Sequence, residues 1–114
     1  MSRPRKVWGM SRFTLLPMDR LKDYEQKIRE ESCYLLDVRE KGEYDAGHIP
    51  LAMSRPLSQL EAWSGELDKE RTVIVYCRTI NRARRSADLL SSRGYREILV
   101  LDGGYSVWSR TQRS

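Results

Sequence analysis

Between Arg12 and Trp108 the chain alternates short apolar runs with stretches of helical period. Val73-Ile74-Val75-Tyr76 is an unbroken apolar run and predicts a buried strand. Tyr34-Leu35-Leu36-Asp37-Val38 is nearly unbroken, the pattern of a strand covered on both faces in a parallel sheet. Glu97-Ile98-Leu99-Val100-Leu101 predicts the last strand, and Arg12–Leu16 and Leu51–Ser54 predict two short ones. Pro56 ends the latter.

Helical segments lie between these runs. Leu21, Tyr24 and Ile28 recur at spacings of three and four, which gives a helix from Pro17-Met18-Asp19 to about Ile28 one buried face. Arg39 to Ala46 predicts a loop with a short helical turn, stopped by Gly47-His48-Ile49-Pro50. Leu57, Leu60 and Trp63 predict a helix from about Ser58 to Ser64, and a turn follows from Glu66 to Lys69. In the segment Ala83–Leu90 the residues Ala83, Ala87 and Leu90 share a helix face, and the alanines let that helix approach a sheet closely. Gly94 stops it. Beyond the Gly103-Gly104 turn, Tyr105, Val107 and Trp108 begin a final short helix. Strands and helices alternate from end to end, which predicts an α/β domain with a mainly parallel sheet of about five strands flanked by helices.

The length of 114 residues suits one core and is too short for two. The domain is expected over 13–110, with a flexible basic lead over 1–12 and a tail over 111–114. Within the lead, Trp8 either packs back on the domain or is exposed, and Met10 is an alternative start or a core-edge residue. The net charge of +5 comes from the ends, where Arg3, Arg5, Lys6, Arg12, Arg110 and Arg113 lie, so the body between is close to neutral. Binding to nucleic acid generally needs a basic stripe on the folded surface, so no nucleic-acid partner is expected. Two cysteines, Cys33 and Cys77, make no disulfide framework, and with His48 as the one histidine they match no zinc pattern. No metal or cofactor is expected. The N-terminal stretch has no apolar h-region, and Phe13-Thr14-Leu15-Leu16 is too short to be one. Neither a secretory signal nor a membrane span is expected. A cytoplasmic location follows as an expectation, and a lone reactive thiol persists there.

The chemistry gathers at Cys77-Arg78-Thr79-Ile80-Asn81-Arg82, where the Val73–Tyr76 strand gives way to the next helix. Free N–H groups and the positive end of a helix dipole lie at such a junction and stabilise an anionic sulfur. Between Arg71 and Asp88 there is no acidic residue, while Arg78, Arg82, Arg84 and Arg85 are all present. In open parallel sheets, ligands bind at the carboxyl ends of strands, and Cys77 follows one. Cys77 is therefore a candidate nucleophile for an anionic substrate.

Three groups of residues resemble the rhodanese domain. Leu35-Leu36-Asp37-Val38-Arg39 with Glu43-Tyr44 and Gly47-His48-Ile49-Pro50 is similar to its first signature. Val75-Tyr76-Cys77 with Arg82 five residues on is similar to its active-site loop. Leu101-Asp102-Gly103-Gly104 with Trp108 is similar to its closing signature. The resemblance spans about Thr14 to Arg110. It implies a rhodanese-like fold and a sulfurtransferase in which Cys77 carries a sulfane sulfur as a persulfide. The implied donor is a small anion, thiosulfate or polysulfide, or a protein persulfide. The implied acceptor is cyanide, a thiol or a sulfur-relay protein, and the protein is a monomer or homodimer. Two positions depart from the family pattern: Leu51 follows Pro50 where glycine is common, and Ile80 occupies a loop position often held by glycine. Ile80 is β-branched and costly if its φ must be positive.

In this setting the loop Arg78, Thr79, Ile80, Asn81 and Arg82 is expected to wrap the sulfur with its amides inward, as in an anion nest. Arg82 either contacts the anionic substrate or ties the loop to the fold. Arg78 meets the anionic donor or is simply solvated, and Thr79 and Asn81 are candidate hydrogen-bond donors. Asp37 and Arg39 are expected to support the site structurally. Asp37 would bind loop amides, and Arg39 would pair with Glu43 or Asp45. His48 is expected to be a hydrogen-bonded turn residue. Cys33 would serve as a resolving thiol only if it lay near Cys77. Two other classes compete. Cysteine phosphatases and arsenate reductase-like enzymes on related folds use a loop one residue longer than this one, in which four residues separate Cys77 from Arg82. A non-catalytic binding module commonly lacks the cysteine.

Overall fold

The computed structural model describes residues 12–112; the expected lead, with Trp8 and Met10, and the end of the tail lie outside them. Five strands form one sheet: β1 (Thr14–Leu16), β2 (Cys33–Asp37), β3 (Met53–Ser54), β4 (Thr72–Tyr76) and β5 (Glu97–Leu101). Their order is β1-β5-β4-β2-β3, and every pairing is parallel. The helices are α1 (Glu25–Arg29), α2 (Lys41–Ala46), α3 (Leu60–Trp63), α4 (Asn81–Ser92) and α5 (Gly104–Thr111).

β4 lies in the middle, and its unbroken apolar run is explained by helices on both faces. Val73 and Val75 face a core with Leu36, Val100, Trp63, Ala83, Ala87 and Leu90. Ile74 and Tyr76 face a second core with Leu35, Leu99 and Leu101, covered by Met18, Leu21, Ile28 and Trp108. Ala83 and Ala87 are fully buried under α4, so small side chains do bring this helix down onto the sheet. Trp63 is held by its indole N–H, which donates to the Pro56 carbonyl at 2.8 Å. Tyr95 is held by its hydroxyl on the Ser64 carbonyl.

Four local expectations change. The first helix starts as a 3-10 helix over Met18–Tyr24 and becomes α only over Glu25–Arg29. Pro17 precedes it without a side-chain cap, and none of its residues is fully buried, so little packing enforces α geometry. The helix expected over 58–64 likewise opens as a 3-10 turn, Leu57–Gln59. The stretch expected as a loop with one turn is the helix α2, closed by a capping box between Glu40 and Glu43. The strand expected over Leu51–Ser54 shrinks to Met53–Ser54, because Leu51 has φ of 76° and cannot be extended. Leu51 is also 41% exposed. A left-handed leucine costs about 1 kcal/mol at the position where the family pattern carries glycine.

Candidate active site

Cys77 is the first residue past the carboxyl end of β4, and α4 starts at Asn81. The turn between them is only four residues long, so the first N–H groups of α4 arrive beside the sulfur. The Ala83 N–H donates to Cys77 Sγ at 3.3 Å. Cys77 is 1% exposed. On the opposite side of the loop, α5 takes up the carbonyls: Tyr105 N–H donates to Cys77 O at 2.8 Å and Ser106 N–H to Arg78 O at 2.9 Å.

The other loop residues divide by exposure. Arg78, Thr79 and Asn81 are exposed. Ile80 has φ of −152°, so the feared left-handed conformation does not arise, and its side chain packs on the core that contains Cys77. Arg84 and Arg85 are exposed on α4.

Arg82 turns to α2 rather than into the loop. Its two terminal nitrogens donate to the two carboxylate oxygens of Glu43 at 2.8 and 3.0 Å. Glu43 Oε1 also accepts the Glu40 N–H at 2.9 Å, so one carboxylate caps α2 and holds α4. The Arg82 hydrogen bonds, with help from the Glu40 N–H, hold the Glu43 carboxyl down to about 2, and Arg82 is raised in turn. Glu43 was expected as a partner of Arg39; its link to Arg82 crosses 39 residues of sequence and has no local signal.

A pH dependence follows. Because Glu43 is lowered in the folded protein from 4.5, its stabilising effect is complete above that value and fades as pH falls towards about 2. The side chains of Arg82 and Glu43 are 36% and 33% exposed, so solvent screening keeps the pair near about 1 kcal/mol. Urea unfolding of wild type and Glu43→Gln is expected to differ by that amount at pH 7, with the difference shrinking below pH 4.5 and gone only below about pH 2. A difference that persists at low pH would rule out the ion pair as its source.

Asp37 ends β2 next to Tyr76 in the β2–β4 register. It was expected to bind loop amides; it accepts one, that of Arg39, and also holds the Arg39 guanidinium. Asp37 Oδ1 accepts the Arg39 backbone N–H at 3.0 Å, and Oδ2 accepts an Nη2 bond at 2.6 Å. Arg39 Nη2 also donates to Gly47 O at 2.8 Å, and its guanidinium lies 4.3 Å from the Tyr105 ring centroid. Burial works against the Arg39 charge, but the Asp37 hydrogen bonds and charge outweigh it, and Arg39 is raised. Asp45, the other expected partner of Arg39, pairs with Lys41. The buried Tyr76 hydroxyl accepts the Ile49 N–H at 3.0 Å, and burial pushes it up.

A family model described as the rhodanese-like domain matches residues 20–111, the span that carries all of these contacts. The chain belongs to the rhodanese-like domain family. Among its relatives, a protein of Allochromatium vinosum named sulfurtransferase is 34% identical over 80 residues, covering 70% of this chain and 75% of that protein. Thiosulfate sulfurtransferase GlpE of Pseudomonas fluorescens is 30% identical over 102 residues, 90% of each chain. The crystal structure of the Alr3790 protein from Anabaena sp. superposes with a TM-score of 0.75 at 30% identity, covering 85% of this chain and 76% of that one.

In this rhodanese-like domain the remaining candidates, His48 and Cys33, make no hydrogen bond to the Cys77 sulfur among the described residues. His48 stacks on Tyr44 with ring centroids 3.7 Å apart, and its Nδ1–H donates to the Tyr44 carbonyl at 2.9 Å. Cys33 begins β2 opposite Thr72, at the amino end of the sheet, and Cys77 lies five residues further along β4. At about 3.3 Å per residue the two are some 16 Å apart along the strands. Burial also pushes the Cys33 thiol up to about 11. Among the described residues no cluster of three His, Cys, Asp or Glu could hold a metal ion. None of their helices is long and apolar enough to cross a membrane.

Proposed function

We propose that the protein is a sulfurtransferase that carries sulfane sulfur on Cys77. The observation that carries this reading is the setting of the Cys77 sulfur. It sits at the end of β4, receives a backbone N–H from α4, and lies in a loop whose Cys77 and Arg78 carbonyls are taken up by α5. The Cys77 sulfur, as its anion, attacks the outer sulfur of thiosulfate. A new S–S bond forms, the S–S bond to the sulfonate breaks, and its electron pair leaves with sulfite. An acceptor thiolate or cyanide then attacks the terminal sulfur of the persulfide and returns Cys77 to its starting form. No net oxidation of the protein occurs in the cycle. Exposed Arg78, next to Cys77, is the cation placed to meet an anionic donor. The acceptor is a thiol, free or on a sulfur-relay protein.

Two features weigh against phosphoryl transfer. The loop is one residue short for phosphate, and the Arg82 fork, the natural bidentate partner of a phosphate, is already engaged with Glu43. Intact mass after incubation with thiosulfate or polysulfide is expected to rise by about +32 Da, one stored sulfur, and to return on adding cyanide. No adduct from any sulfane donor, with turnover of an aryl phosphate, would overturn the reading.

A further inference from the structure

Three successive carbonyl oxygens of the loop, those of Cys77, Arg78 and Thr79, converge on one point beside Gly104. A methyl group on Gly104 would lie within 2.8 Å of all three. All three are backbone atoms, so none can swing aside without moving the loop. Gly104 has φ of 57°, a conformation that glycine adopts freely. It opens α5, and the next two N–H groups are those that bind Cys77 O and Arg78 O. First-turn N–H groups have no partner inside their own helix, and they form the positive end of its dipole. The loop oxygens therefore supply what the start of α5 lacks.

The geometry has a consequence for the sulfur. A trans peptide sets its C=O and N–H on opposite edges. Holding the oxygens of residues 77, 78 and 79 against α5 turns the N–H groups of Arg78, Thr79 and Ile80 away from it. We propose that Gly104 is a positioning residue for sulfur transfer: its missing side chain lets α5 grip the loop carbonyls, and this grip presents the loop N–H groups to the sulfur on Cys77. The proposal rests on the sulfurtransferase reading above. In it α4 and α5 divide the work. The Ala83 N–H of α4 contacts the sulfur, and α5 fixes the peptide planes around it. The Gly103-Gly104 pair reads in the sequence as a turn; its second member is the contact point of the catalytic loop.

Gly104→Ala, Ser106→Pro and Gly103→Ala separate this role from general stability. Ser106→Pro deletes the donor to Arg78 O in the first helical turn, where proline is tolerated, and its ring carbon takes the place of the N–H, so the Arg78 carbonyl is released from α5 while the Gly104 position stays open. Gly103 is also left-handed, but a methyl there would meet Val107 of the same helix at 2.5 Å and not the loop. Gly104→Ala is expected to slow sulfur loading from thiosulfate about 100-fold at temperatures well below its melting point, as for a lost oxyanion-hole donor. The loss falls on kcat, because the loop amides act on the developing charge. Ser106→Pro is expected to slow it about 5- to 10-fold. Gly103→Ala lowers the melting temperature but leaves the rate per folded molecule unchanged. Amide exchange at Tyr105 and Ser106 speeds up in Gly104→Ala and not in Gly103→Ala. Loading by Gly104→Ala at the wild-type rate would overturn the proposal, as would equal slowing by Gly103→Ala. If Gly104→Ala does not fold, Ser106→Pro loading at the rate of Gly103→Ala overturns it. A wild type that takes up no sulfur instead overturns the sulfurtransferase reading, and the exchange rates still report whether the grip exists.

Discussion

Cys77→Ser is expected to abolish the gain of about +32 Da from thiosulfate and all sulfur transfer to cyanide, with the fold intact. Serine nearly matches cysteine in size, and Ala83 N–H can donate to its hydroxyl as it does to the sulfur. Circular dichroism and melting temperature should therefore stay close to wild type. The hydroxyl is a far weaker nucleophile than the thiolate, and the one histidine of the chain, His48, stacks on Tyr44 and makes no hydrogen bond to Cys77 among the described residues. Cys33→Ser is expected to retain full loading. Cys33 lies at the other end of the sheet, and burial holds it at about 11, so at neutral pH it is almost entirely a thiol. An adduct that survives in Cys77→Ser and vanishes in Cys33→Ser would move the site to Cys33.

Asp37→Ala is expected to destabilise the protein by about 3–5 kcal/mol, a large part of what a domain of this size has in total. Asp37 is fully buried, and the Arg39 guanidinium beside it is nearly so. Removing the carboxylate leaves a cation near the Tyr76 and Tyr105 rings with, among the described residues, only the Gly47 carbonyl as a hydrogen-bond partner. The midpoint of urea unfolding at pH 7 measures the effect. The double variant Asp37→Ala/Arg39→Met should recover much of the loss, because no buried charge then remains unpaired. A loss below about 1 kcal/mol in Asp37→Ala would mean that water reaches Arg39 and the pair is not truly buried.

The sheet was legible because its strands are written locally. Val73–Tyr76 and Glu97–Leu101 are continuous apolar runs, and their neighbours in space are covered whatever the order of strands. The position of Cys77 at a strand end was legible for the same reason. What local pattern could not supply was the partner of each polar group. Glu43 had an arginine within reach in sequence, Arg39, yet it pairs with Arg82, which reaches it only after β4 has paired with β2. Asp37 could not be assigned to Arg39 from spacing, since residues two apart in a strand-like segment share a face but do not reveal whether the guanidinium folds back. Ile80 and Leu51 show the complementary case. Both replace an expected glycine; the backbone has moved to negative φ at Ile80 but keeps positive φ at Leu51. The residue alone does not decide which of these occurs.

Among the described residues β1 is the first strand of the sheet and pairs only with β5, the last. As the chain leaves the ribosome, Thr14–Leu16 must therefore wait for Glu97–Leu101. At roughly 5–20 residues per second that interval is on the order of ten seconds. The α5 donors to the Cys77 loop come later still. The nascent chain thus carries its cysteine before the helix that holds the cysteine's loop has been made. The sulfur transfer proposed for it should therefore appear only once α5 has been made.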